Sequence, residues 1–304
     1  MKKAILAILL IICVLSASAQ DTLVDKVRVR RNVSIVLGTE AALYAASMTG
    51  LYFAWYADYP QSNFHFYNDN GEWLQMDKAG HLATSYIVGS FGYELLRDAG
   101  LDEKRSIWFG GTLGLAFLTT VEVFDGFSDG WGFSWGDMAA NTLGSALFIG
   151  QQFLWHEQRI TVKYSFHQTH FADIRPDLLG ENLIQQTIKD YNGITIWASC
   201  NFKSLFMKKD SKFPAWLNFA FGYGATGMIG GFDNGSYTFQ GTPTPPTYNR
   251  ERQFFFSLDV DFTKIPTNNK FLKYTFKVLN IFKVPFPTLE YNTGNEWVWH
   301  WIYF

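Results

Sequence analysis

Residues 253–262 read Gln253-Phe254-Phe255-Phe256-Ser257-Leu258-Asp259-Val260-Asp261-Phe262, and the alternation in this stretch decides the fold class. Phe254, Phe256, Leu258, Val260 and Phe262 fall on one side of a period of two, and Gln253, Phe255, Ser257, Asp259 and Asp261 fall on the other, which is the pattern of a strand with unlike faces. The same period runs through Ile194, Ile196, Ala198, Cys200 and Phe202. It recurs in Leu217, Phe219, Phe221 and Tyr223, where small residues occupy the other face. Upstream of Arg159 the period becomes helical, and four helices are expected over 33–55, 78–97, 106–124 and 135–155. The chain therefore reads as α+β: an N-terminal four-helix bundle over 33–158, then a β-rich, aromatic C-terminal domain over 159–304.

Small residues recur four apart, as in Gly110 with Gly114 and Ala140 with Gly144, which allows helix backbones to approach closely. Turns are expected at Asn68-Asp69-Asn70-Gly71, at Asp233-Asn234-Gly235 and at the cluster Pro243, Pro245 and Pro246. A short amphipathic helix is expected over 270–282. The chain closes on Trp297-Val298-Trp299-His300-Trp301-Ile302-Tyr303-Phe304, an aromatic strand similar to the closing strand of outer-membrane barrels. Five or six strands are fewer than the roughly eight of the smallest single-chain membrane barrels. A sheet lying against or partly in a membrane is the expectation.

The first residues set the compartment. Lys2 and Lys3 precede the apolar run from Ala4 to Leu15, and Ala17-Ser18-Ala19 has the small residues a signal peptidase accepts. Residues 1–19 are read as a signal peptide and 20–32 as a linker. Ile12 stands before Cys13 where lipid attachment needs a small residue, so the reading is export without lipidation. Cys200 is then the only cysteine, which excludes an intrachain disulfide. The formal charge moves from -2 to -4 when Lys2 and Lys3 leave, with 27 acidic residues against 23 basic, and gives no footprint for nucleic acid. Aromatic residues make up 18% and charged residues only 17%, against roughly 25% charged in ordinary soluble domains. That balance points to a membrane, or to an envelope protein or lipid, as partner. The location expected is the outer membrane or the periplasmic face of the envelope, with four helices in the inner membrane as the alternative.

The densest chemistry is Asp77-Lys78-Ala79-Gly80-His81 followed by Ser85, because Asp77, His81 and Ser85 lie four apart on one helix face. Glu122 and Asp125 close the third helix. Gly130-Trp131-Gly132-Phe133-Ser134-Trp135-Gly136-Asp137 opens the fourth, with Asn141 one turn on. Over residues 73–148 these features resemble the YfiM-like predicted periplasmic lipoproteins, a domain of unknown function. A fainter resemblance is to the VanZ-like membrane proteins, carried by Asp77, Lys78, His81, Glu122, Asp137, Asn141 and Gly144. Neither resemblance implies a reaction.

Imidazole with carboxylates suits either a divalent metal or acid–base chemistry. His81, Glu122, Asp125 and Asp137 are the candidate ligands, and His81, Glu122 and Asp137 the candidate catalytic groups. Asp77, Lys78, Ser85 and Asn141 complete the polar cluster. The bland readings are that Asp77 caps the second helix, that Ser134 and Asp137 form a capping box, and that His81 fixes helix register. Two functions compete. A non-enzymatic role in outer-membrane organisation or assembly uses the whole chain; an enzyme acting on an envelope lipid or glycan through the His81 and carboxylate cluster uses its polar centre. The other histidines, His65, His156, His167, His170 and His300, are scattered.

Overall fold

The computed structural model describes residues 26–304 except 58, 209, 236, 240, 241 and 245–247. Residues 1–19, read from the sequence as a signal peptide, and part of the proline cluster lie outside the described residues. The chain is α+β, helical in its N-terminal half and built on a six-stranded antiparallel sheet in its C-terminal half.

Helix α1 (Lys26–Leu51) begins ahead of the expected Val33 and runs into a π-helical turn at Tyr52–Tyr56. Helix α2 (Met76–Asp98) is the centre of the bundle and packs on α3 (Glu103–Gly111), α4 (Leu113–Gly126) and α5 (Trp135–Trp155). The expected third helix is thus two helices, separated by Thr112. Glycine makes this packing close: a Cβ on Gly114 would lie 2.2 Å from the Ser85 carbonyl oxygen, and one on Gly144 2.3 Å from that of Leu82. Both glycines hold a neighbouring helix against the polar stripe of α2. Only the stretch Glu103–Gly126 is long and apolar enough among the described residues to cross a membrane, by length and composition.

Strands β1 (Ile160–Phe166), β2 (Ile194–Asn201), β3 (Leu217–Thr226), β6 (Glu251–Val260), β7 (Phe286–Asn292) and β8 (Trp297–Tyr303) follow one another across the sheet. A small hairpin, β4 (Tyr237–Phe239) with β5 (Thr242–Thr244), stands apart. Between β1 and β2 come the short helices α6 (Phe171–Ile174), α7 (Pro176–Leu179) and α8 (Leu183–Lys189), and α9 (Phe202–Phe206) follows β2. Helix α10 (Lys270–Leu279) forms where the amphipathic run is expected, and ties back to α2 through Lys277 to Glu94 at 2.5 Å and Tyr274 to Asp98 at 2.9 Å.

The register shows which way the sheet faces. Lys163, Trp197, Gly222, Phe255 and Glu290 align across five strands, as do Thr161, Ser199, Ala220, Ser257 and Thr288. This polar face is the buried one. The opposite columns run Val162, Ala198, Phe221, Phe256, Leu289, Trp299 and Tyr164, Ile196, Tyr223, Phe254, Tyr291, Trp297. The β1–β2 part of this apolar face packs on the bundle, where Val162 and Ile196 meet Ala83, Tyr86 and Phe148. Its β6–β8 part is exposed: Phe254, Phe256, Trp297 and Trp299 are 45%, 47%, 68% and 52% accessible. Polar inside and apolar outside is the polarity of a membrane barrel wall, reversed from a water-soluble sheet.

The sheet curls around its polar face. Lys163 on β1 reaches Asp259 on β6 at 2.8 Å, with both side chains fully buried. Ser199 donates to Asp259 at 2.6 Å, Asn218 to Ser199 at 2.9 Å, and Asn201 to Asn218 at 2.7 Å. Thr195 on β2 meets the hydroxyl of Tyr303 on β8 at 3.1 Å. The free edge of β1 is covered by residues 281–283, through Tyr164 N to Ile281 O and Lys283 N to Tyr164 O.

Candidate functional site

Three consecutive residues before α2, Trp73, Leu74 and Gln75, adopt left-handed backbone with φ of 47°, 50° and 65°. Such conformations cost about 1–3 kcal/mol each for non-glycine residues and persist only where the surroundings impose them. Here the Trp73 amide donates to Gly231 O at 2.7 Å, the Tyr223 hydroxyl donates to Leu74 O, and Gln75 receives Arg252 at 2.7 Å and donates to Asn70 O at 2.6 Å. Sheet and loop together fix the start of α2. The expected capping role of Asp77 is not what the structure has, because Gln75 occupies the N-cap without a side-chain cap bond. The Asp77 carboxylate instead accepts a hydrogen bond from the Tyr191 hydroxyl at 2.8 Å.

At the start of α5 the sequence reads as a reciprocal capping box, and half of it forms. Ser134 Oγ accepts from the Asp137 amide at 3.1 Å, but the Ser134 amide donates to Glu122 Oε2 at 3.0 Å, so the Asp137 carboxylate is free to turn elsewhere. It meets Lys78 Nζ at 2.9 and 3.0 Å. Lys78 also contacts Asp69 at 2.6 Å and Asp77 at 3.3 Å. One ammonium therefore ties three carboxylates from the 68–71 turn, α2 and α5.

His81 lies one turn below Asp77, with Nε2 3.8 Å from Asp77 Oδ1. Its Nδ1 is 3.0 Å from Asn141 Oδ1 and 3.7 Å from Glu122 Oε1. Ser85 donates to Asn141 O at 2.7 Å and meets Ser145 at 3.1 Å, securing the next turn of α2 against α5. The structure gathers Asp77, His81 and Asp137 with ligand-capable atoms all within 4.8 Å of one another. Glu122 stands behind His81. Asp125 is drawn off by the Tyr56 hydroxyl at 2.6 Å. The contributions of Asp69, Tyr56 and Tyr191 were invisible in the sequence, since each reaches the centre from a segment with no helical spacing to it. His300 pairs with Glu290 at 2.6 Å inside the sheet, away from this centre.

Burial dominates the electrostatics. It pushes the carboxyl groups of Glu122 and Asp125 up to about 7, and raises that of Asp137, where the Asp77 charge adds to it. Burial acts on Asp77 in the same direction, yet His81 and Lys78 outweigh it and hold that carboxyl below its ordinary value. Burial opposes charge on His81 too, but Asp77, Asp137 and Glu122 together raise its pKa. Among the described residues four buried side-chain atoms stay without a hydrogen-bond partner: Glu122 Oε1, Asp137 Oδ1 and Asn141 Nδ2 at this centre, and Glu40 Oε1 on α1. Asp137 Oδ1 does sit 2.9 Å from Lys78 Nζ, in an ionic contact outside hydrogen-bonding angles.

The centre lines one end of a cavity of about 460 Å³. Tyr56, Asp69, Asp77, His81, Asp137 and Tyr191 supply its polar end, while Leu51, Phe117, Leu118, Ile188, Ile194 and Ile196 supply apolar wall. A second cavity, of about 310 Å³, lies between the bundle and α10 and includes none of these polar groups.

Residues 65–150 match a family described as predicted periplasmic lipoprotein (DUF2279), of unknown function. The stretch covers the turn bearing Asp69 and helices α2 to α5, and so contains Asp77, Lys78, His81, Glu122, Asp125, Asp137 and Asn141. The match agrees with export to the cell envelope. Nothing in the comparisons supports the VanZ-like resemblance. No curated protein and no solved structure matches the chain.

Proposed function

We propose that this envelope protein takes up an amphiphilic envelope molecule, a lipid or lipid-linked glycan, with the polar head at Asp77, His81 and Asp137. The observation that carries this reading is the cavity, which joins a charged, incompletely hydrogen-bonded end to an apolar wall. Its volume of about 460 Å³ falls within the roughly 300–1,000 Å³ of small-molecule sites. A cluster that only braced helices would be expected to close on itself, since a buried polar atom without a partner costs about 1–3 kcal/mol. The groups present suit acid–base or metal-assisted chemistry on the head.

Lipid mass spectrometry of the detergent-extracted protein tests the reading. Wild type should carry a defined amphiphile that Ile188→Trp, which fills the cavity from a half-exposed position, excludes. Equal lipid content in both would refute it.

A second reading, a non-catalytic role in outer-membrane organisation or assembly, is favoured by the exposed aromatic face of β6 to β8. That face would rest on the lipid and hold the protein at the membrane. Recovery with inner-membrane markers on fractionation would overturn the outer-membrane placement.

A further inference from the structure

We propose that Asp77, His81 and Asp137 hold a divalent cation of the zinc or manganese class at the polar end of the cavity. The inference rests on the reading of this centre as a ligand site and names what occupies it.

Two carboxylates and an imidazole form a donor set suited to borderline divalent ions. Their ligand atoms lie within 4.8 Å of one another. In the tetrahedral arrangement zinc prefers, bonds of about 2.0–2.2 Å place donors about 3.3–3.6 Å apart, so side-chain rotations that move these atoms by about an ångström seat the ion. The groups behind the ligands are those a metal centre needs. Asn141 Oδ1 accepts the Nδ1 proton of His81 at 3.0 Å, which leaves the Nε2 lone pair facing Asp77. Tyr191 fixes the Asp77 carboxylate from the other side at 2.8 Å.

A second observation is independent of the triad's spacing. Glu122 is 1% exposed, and its Oε1 has no donor although it points toward His81. Asn141 is fully buried, with Nδ2 likewise unpaired. Within the triad, Asp137 Oδ1 is buried, lines the cavity and likewise lacks a hydrogen bond, and a cation seated on Asp137 would supply its partner.

The charge count agrees. Asp69, Asp77 and Asp137 converge on a single ammonium, that of Lys78. A divalent ion offsets that excess, and it would allow an anionic head to approach carboxylates that otherwise repel it. Lys78 is not a rival for the site: with the cation on Asp77 and Asp137, its ammonium keeps Asp69, its shortest contact at 2.6 Å.

Calorimetric titration of the full mature protein in detergent, stripped by chelator and then supplied with Zn²⁺ or Mn²⁺ alone, tests the site. Wild type should bind one equivalent of at least one of the two ions. Binding should weaken at least tenfold in His81→Ala and in Asp137→Asn, and should stay within twofold in Asp98→Asn, whose carboxylate serves Tyr274 at the far end of α2. Circular dichroism establishes that each variant is folded, and His81→Gln replaces His81→Ala if the latter is not. Folded wild type that binds neither ion, or a folded His81 variant that binds like wild type, would overturn the proposal. Lipid content measured on the same stripped protein separates the two readings: an amphiphile retained without cation binding sinks the metal site alone, and a bound cation without any amphiphile sinks the cavity reading alone.

Discussion

Both halves of the molecule bury ionisable groups, and they do so to opposite ends. Inside the sheet, the Lys163–Asp259 pair is completed by Ser199, Asn218, Asn201 and the Val284 amide, which reaches Asp259 Oδ1 at 3.0 Å. In the bundle, Glu122, Asp137 and Asn141 are buried as deeply yet each has an atom without a hydrogen bond, and no sheet residue shares that condition among the described residues. A saturated network stabilises one arrangement and has nothing left to offer a ligand. An unsaturated one carries a standing cost, which a ligand can relieve. The contrast separates a brace from a site more sharply than residue type does, because both regions use the same chemistry.

The largest effect should come from breaking the saturated network. Lys163→Ala leaves Asp259 buried without its counter-ion, and should cost about 3–5 kcal/mol in denaturant unfolding. Next comes the packing that places the unsaturated centre. Gly114→Val would drive a side chain into the Ser85 backbone and should cost about 1–3 kcal/mol, with the polar cluster displaced as α4 shifts. A smaller effect concerns Lys283, whose ammonium donates to Val284 O at 2.6 Å and lies 4.9 Å over Trp197. Burial pulls its pKa down from 10.5 to about 8. The unfolded chain then holds the extra proton between those values, so stability should rise as pH climbs from 8 to 10.5, and Lys283→Met should flatten the rise. The smallest effect on stability belongs to the outer face. Phe256→Ser with Trp299→Ser should change unfolding by about 0.5 kcal/mol or less per site, while flotation with phospholipid vesicles falls severalfold. Undiminished flotation would argue against lipid contact.

The helical half was legible because its periodicity is strong and its polar stripe is regular. Asp77, His81 and Ser85 do share the face that meets α5, and glycines do line the close helix contacts. The site was legible only as far as that spacing extended. Asp69, Tyr56 and Tyr191 join through tertiary packing, and the left-handed run at Trp73 to Gln75 leaves no mark in residue type. In the sheet, alternation located β2, β3, β6 and β8. Strand β7 escaped because Pro287 and a bulge near Phe286 and Thr288 shorten its pattern. Alternation also cannot say which face turns inward. That choice depends on Lys163, Asp259, Ser199 and Asn218 completing one another across four strands, which a linear reading does not contain.

The central claim is that the bundle's polar centre is a site and not a brace, and equilibrium unfolding of Glu122→Gln beside Lys163→Ala tests it most directly. Glutamine keeps an oxygen for the Ser134 amide and removes a buried charge whose other oxygen has no donor. The account predicts that Glu122→Gln is as stable as wild type, or more stable by about 1 kcal/mol, while Lys163→Ala loses about 3–5 kcal/mol. A loss in Glu122→Gln as large as that in Lys163→Ala would contradict it and return the centre to the role of a structural brace.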